Sequence, residues 1–128
     1  MSKKYYVLRA FPEGVVEILH AKTAVPNFTS KCIVLDMNDG ESIAFVIGWD
    51  ISKEDYLHSS ICEAVSKHFN KDVSPMGGAK IIYKEGKYRL QGKSVDFGPI
   101  DAPLASYFSS FLGFELEYPY GLPLAEWS

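Results

Sequence analysis

Apolar residues along this chain fall mostly into short runs with strand-like alternation, interrupted by two segments of helical periodicity. Residues 4–11 (KYYVLRAF) are rich in aromatic and branched side chains and read as a strand. Pro12-Glu13-Gly14 reads as a turn, residues 15–21 as a second strand with His20 near its end, and residues 23–30, which contain Pro26 and Asn27, as loop. Residues 31–37 (KCIVLDM) form the third strand. They lead through Asn38-Asp39-Gly40, a turn whose Asp-Gly pair suits positive φ angles, into residues 42–47 (SIAFVI). That last run is apolar on both alternating faces, so it belongs mid-sheet, covered on both sides; Gly48-Trp49-Asp50 ends it.

The first helix is expected to open at Ser52. Ser52 with Asp55 resembles a capping box, Ile51 can staple onto Tyr56, and Leu57, Ile61, Ala64, Val65 and Phe69 recur at helical spacing as the buried face. His58 falls at the border of that face near the helix start. His68 falls in the last turn, where the helix dipole favours a cation. A short extended piece to Pro75 and a glycine turn at Gly77-Gly78 follow. Then comes a tight hairpin, residues 80–84 and 87–91 about Glu85-Gly86, in which Tyr88 and Leu90 alternate with Lys87, Arg89 and Gln91. A second glycine turn ends in Gly98-Pro99. Asp101 caps a second helix with Pro103 in its first turn; Leu104, Phe108, Phe111 and Leu112 mark its inner face and Gly113 stops it. Residues 114–118 read as a last strand. The apolar, proline-rich tail 119–128 is expected to dock on the domain or on a partner. The order predicts an α+β fold: a single domain over residues 1–128, with a mixed β-sheet of about six strands flanked by two main helices.

Composition narrows the function classes. A 128-residue chain with 47% apolar residues can build one core unaided. The net charge of −3 and the lack of a lysine-rich block argue against a dedicated nucleic-acid binder. No run is long and apolar enough to span a membrane or serve as a signal peptide, so the expectation is a cytoplasmic protein. Cys32 and Cys62 have no CxxC partners and read as reduced core residues; Asn27-Phe28-Thr29 is then a chance sequon. His20, His58 and His68 show no metal-ligand spacing, and neither a GxSxG elbow nor a P-loop is present.

The chemistry-bearing constellation is His58 together with the two glycine turns, which lie at the same open end of the hairpin. Lys80 enters one strand there and Ser94 leaves the other. A cation, a hydroxyl and main-chain amides converging at one place suit a small oxyanion such as phosphate; a turn and a bulge also require such glycines for conformation alone. A histidine near a helix start lies among unpaired amides whose positive end keeps the ring neutral, so it can serve as nucleophile or base toward phosphorus.

Three segments, Tyr56-Leu57-His58-Ser59-Ser60-Ile61, Gly77-Gly78-Ala79-Lys80-Ile81 and Gly92-Lys93-Ser94-Val95-Asp96-Phe97-Gly98-Pro99, resemble the Janus-type phosphohistidine phosphatase family in order and spacing, over residues 42–118. The resemblance implies a metal-independent phosphatase that needs no cofactor. It would act on a phosphorylated protein or a small phosphoramidate, with no nucleic-acid or membrane partner. His58 matches the family's catalytic histidine, Lys80 the arginine that closes its glycine turn, and Ser94 the serine of its last motif. Lys31 matches a lysine that reaches the phosphate. Ser59, Gly77, Gly78, Asp96 and Gly98 complete the implied phosphate site; Asp96 stands where the family has a small neutral residue. The alternative is a non-catalytic relative that binds a protein or phosphopeptide. The oligomeric state is left open.

Overall fold

A computed structural model describes residues 4–12, 14–17, 28–51, 56–85, 87–94, 97–113 and 115–116. Nine elements follow one another: β1 (Lys4–Phe11), β2 (Gly14–Glu17), β3 (Phe28–Asp36), β4 (Ser42–Asp50), α1 (His58–Phe69), β5 (Ser74–Lys84), β6 (Lys87–Gln91), α2 (Ala102–Leu112) and β7 (Glu115–Leu116). Among the described residues the strands form one seven-stranded mixed sheet in the order β2-β1-β4-β3-β5-β6-β7. The β1–β4 and β6–β7 pairs are parallel and the others antiparallel. The architecture is therefore α+β, as expected, with one strand more.

Alternation along the strands divides the core into two layers. Phe45, Ile47, Val34, Cys32, Ala79, Ile81 and Leu90 point to one face, where Ala105 and Phe108 of α2 cover them. Leu8, Ala10, Ile33, Leu35, Ala44 and Val46 point to the other, under Ile61 and Val65 of α1. β4, apolar on both faces, is buried from Ser42 to Gly48, which explains its unbroken apolar run. Burial raises both thiols, that of Cys62 to about 11, and both cysteines are unbridged. No helix among the described residues is long and apolar enough to cross a membrane.

Three expectations are corrected. α1 begins at His58, not Ser52: Tyr56 lies outside the helix, and Leu57, expected in the core, is its extended N-cap and is 61% exposed. The proposed Ser52–Asp55 box lies outside the described residues. Tyr56 is drawn away from helical geometry because its ring stacks on Trp49 at 4.1 Å and its hydroxyl donates to the Trp49 carbonyl at 2.7 Å. β4 runs on through Gly48, Trp49 and Asp50. Gly77-Gly78 is not a turn but a bulge within the eleven-residue β5, where the β3–β5 register shifts between Ile33 and Leu35. Glu13, His20, the residues 18–27, the 119–128 tail and Asp96 lie outside the described residues.

The turn between β3 and β4 lies where its sequence predicts, but its positive φ angles fall at Asn38 (59°) and Gly40 (82°) and not at Asp39, whose side chain instead accepts from the following amides. Asp39 Oδ1 accepts from the amides of Glu41 (2.9 Å) and Ser42 (2.7 Å). The Ser42 hydroxyl and these amides hold the carboxyl well below the usual carboxylate range. A depressed folded-state value contributes stability above the unfolded pKa that disappears as pH falls through the folded one. Asp39→Ala should therefore melt below the parent chain at pH 7, with the gap in Tm narrowing as the pH drops below about 4. Thermal melts across that range check this.

Candidate functional site

β5 is the strand on which the site is built. At Gly77 its φ is +126°, and a Cβ there would collide with the Pro99 carbonyl. The backbone can approach the 97–100 segment so closely only without a side chain. That segment then pairs with β5 past the end of β6. The Gly78 amide donates to the Gly98 carbonyl at 3.0 Å, the Ser94 amide donates to the Gly78 carbonyl at 3.0 Å, and the Gly98 amide donates to the Ser94 carbonyl at 3.0 Å. The two glycine segments singled out in the sequence are thus in contact.

On the opposite side of Gly78 lies His58, the first residue of α1. A Cβ at Gly78 would sit 2.6 Å from His58 Cδ2 and 3.0 Å from Nε2, so the bare glycine makes room for the imidazole. His58 Nε2 lies 2.9 Å from the Ala79 carbonyl oxygen. A carbonyl can only accept, so Nε2 carries the proton, and in the neutral ring Nδ1 carries the lone pair. The ring is half-buried at the sheet surface, outside both core layers.

Register brings the cations to the same place. Lys31 on β3 pairs directly with Lys80 on β5, and Lys80 lies two residues beyond Gly78, hence on the same face as the imidazole. Directly opposed residues have Cβ atoms about 5 Å apart. The Lys31 ammonium donates to the carbonyl of Tyr56, two residues before His58, and lies 5.5 Å from the Tyr56 ring centroid. The Lys31 amide donates to the Tyr56 hydroxyl at 3.3 Å. At Gly48 a Cβ would meet that same hydroxyl, so β4 leaves space for Tyr56 to lock the approach to α1. Tyr56 and Gly48 were not recognised as parts of the site from sequence. Their signal was an aromatic residue at a helix mouth and a glycine in an otherwise apolar strand.

The expected cup of glycine amides is corrected in part. The amides of Gly78, Gly98 and Ser94 are bonded within the protein. Ser94 is 2% exposed, and its hydroxyl oxygen accepts from the Phe97 amide at 3.1 Å, so it ties the second turn together. The chemical groups that share the open face are His58, Lys31 and Lys80, beside the Ser59 amide in the first turn of α1, where an intrahelical acceptor is lacking by geometry. Gly77 and Gly98 act through backbone shape.

A cavity of about 400 Å³ lies at the other end of α1, lined by Leu8, Met37, Asp39, Ala44, His68 and Phe69 among others, and includes none of these groups. Among the described residues no three His, Cys, Asp or Glu side chains come together in a way that could hold a metal ion. No protein-family model and no curated protein matches the chain.

Gly78→Ala should push the imidazole off the sheet. We expect a folded protein destabilised by about 1–3 kcal/mol, in which the His58 nitrogen resonances change from a fixed Nε2-protonated tautomer to an averaged pair. Long-range ¹H–¹⁵N correlation spectra and denaturant melts check both effects.

Proposed function

We propose that this chain is a metal-independent phosphatase for phosphohistidine or related phosphoramidates, with His58 as its nucleophile. The observation that carries this reading is the His58 ring, seated on Gly78 and held through Nε2 by the Ala79 carbonyl, on the sheet face that also bears the opposed pair Lys31 and Lys80. That hydrogen bond orients Nδ1 as the reacting atom and stabilises the positive charge the ring acquires when Nδ1 bonds to phosphorus. The order and spacing of the three family-like motifs supply the reaction class.

The steps follow from these groups. The Nδ1 lone pair attacks phosphorus as the phosphorus–nitrogen bond of the substrate breaks. The departing nitrogen keeps the bonding pair and takes up a proton from water. Water then attacks the phosphoryl group on His58, the phosphorus–Nδ1 bond breaks, and inorganic phosphate and neutral His58 result. Phosphoryl transfer needs charge stabilisation on the equatorial oxygens more than covalent help from the protein. Lys31, Lys80 and the first turn of α1 supply it. Lys80, a lysine where the family pattern has arginine, acts as a point charge and not as a bidentate fork.

A second reading, a non-catalytic relative that binds a phosphorylated partner, is favoured by one specific observation: the Gly78, Gly98 and Ser94 amides are committed within the protein, which leaves fewer oxyanion donors.

The test is release of inorganic phosphate from phosphoramidate in the presence of a chelator. The wild type should turn over. His58→Ala should lose about 10²–10⁴-fold of the rate, and Lys80→Ala about 10²-fold. An acid-labile, alkali-stable phosphoryl label should appear on His58. A wild type that releases no phosphate and takes up no label, with Asp96→Ala equally inert, removes catalysis. Binding of a phosphopeptide by that inert protein then establishes the second reading.

A further inference from the structure

The cavity at the C-terminal end of α1 takes no part in the site at His58. Sheet and helix build it together. Leu8 of β1, Ala44 of β4 and Met37 after β3 are buried and line its inner wall, and the less buried Tyr6 and Phe69 line it nearer the solvent. α1 stops here because Asn70 takes a left-handed φ of 52° and turns the chain away. Phe69, the last apolar residue of the helix, therefore stays 42% exposed, with its ring edge to face against His68 at 4.8 Å. The volume of about 400 Å³ falls in the lower part of the range for small-molecule sites, about 300–1,000 Å³.

Two opposite charges stand at the rim. Asp39 and Lys71 both line the cavity and are exposed. Among the described residues no ion pair joins them, and the Lys71 ammonium makes no hydrogen bond. Asp39 accepts from the Glu41 amide, the Ser42 amide and the Ser42 hydroxyl. A carboxylate has about four acceptor positions, so one is left for a further donor, and an ammonium offers three donors. A ligand of one sign would be attracted by one of these groups and repelled by the other. A ligand with an ammonium and a carboxylate on one carbon satisfies both, and the apolar interior accepts its side chain.

We propose that this cavity binds a free α-amino acid with an apolar side chain, such as leucine, methionine or phenylalanine. Its ammonium lies on Asp39, its carboxylate on Lys71, and its side chain against Leu8, Met37 and Ala44. The C-terminal end of α1 carries partial negative charge that also favours the ammonium. His68 can donate to the carboxylate or, when neutral, accept from the ammonium, so it does not select the sign. The twelve residues of α1, about 18 Å of helix, separate this cavity from His58, and the proposal does not rest on the phosphatase reading.

The test is a titration of the full ¹⁵N-labelled chain, followed by ¹H–¹⁵N correlation spectra. The probes are leucine, phenylalanine, glycine and two leucine analogues: 4-methylpentanoate, which lacks the ammonium, and 3-methylbutylamine, which lacks the carboxylate. Leucine or phenylalanine should saturate with a Kd of about 1 mM or below. The shifts should fall at residues 39–44 and 68–71 and spare Gly78 and Ala79. Glycine and both analogues should bind at least about tenfold more weakly. Lys71→Glu should weaken leucine at least about tenfold and strengthen 3-methylbutylamine, because the rim then carries two negative charges. Lys84→Glu, the same change of net charge on the β5–β6 hairpin, should bind as the wild type does. No saturable shift at residues 39–44 and 68–71, glycine or either analogue binding as tightly as leucine, or equal loss in the two variants would overturn the proposal.

Discussion

The closest constraint in this molecule is the missing side chain at two consecutive positions of one strand. At Gly77 the backbone lies against Pro99, and at Gly78 an imidazole occupies the volume where a Cβ would be. Any larger residue would have to displace either main chain or the head of α1, and interiors packed near crystal density do not absorb such shifts cheaply. The rest of the site follows. Ser94 and Gly98 can bond to the Gly78 backbone only because β5 lets them come close, and His58 can reach the Ala79 carbonyl only because the strand beneath it is bare.

The second determinant is the strand alternation of the β3–β5–β6 region. It sends the apolar side chains toward α2, where Phe108 and Ala105 cover them, and leaves the cations on the side that α1 covers only in part. Lys31 belongs to both worlds. Its backbone lies in a buried strand, its amide bonds the Tyr56 hydroxyl, and its ammonium is held at the Tyr56 carbonyl. One aromatic residue thereby couples the edge of the apolar layer to the charge distribution at the helix mouth. The two stacked rings of Trp49 and Tyr56 also explain why α1 starts late: the ring contact and the Trp49 carbonyl bond hold Tyr56 outside the helix.

Electrostatics at the head of α1 are settled partly within the chain. Lys31 and Lys80 stand directly opposite one another on adjacent strands, an arrangement that costs stability between like charges. The Lys31 ammonium is held at the Tyr56 carbonyl beside the Tyr56 ring, so the main chain before α1 meets part of that cost.

Periodicity along the chain was enough to determine the α+β class, the bounds of β1, the Asp39 turn, the end of α2 at Gly113 and the wet and dry sides of β6, because each is a local choice set by alternation, a turn residue or a cap. The spacing of motifs also singled out His58, Lys80 and the glycine segments, and the family resemblance added Lys31. The start of α1, the long β5 with its bulge and the internal use of the Gly78 and Gly98 amides were decided by tertiary contacts: Tyr56 with Trp49, Gly77 with Pro99, Gly78 with Gly98. Local propensity cannot register a neighbour that is distant in sequence. The direct opposition of Lys31 and Lys80 was invisible for the same reason: the two are 49 positions apart in the chain, and only the register of β3 against β5 brings them side by side.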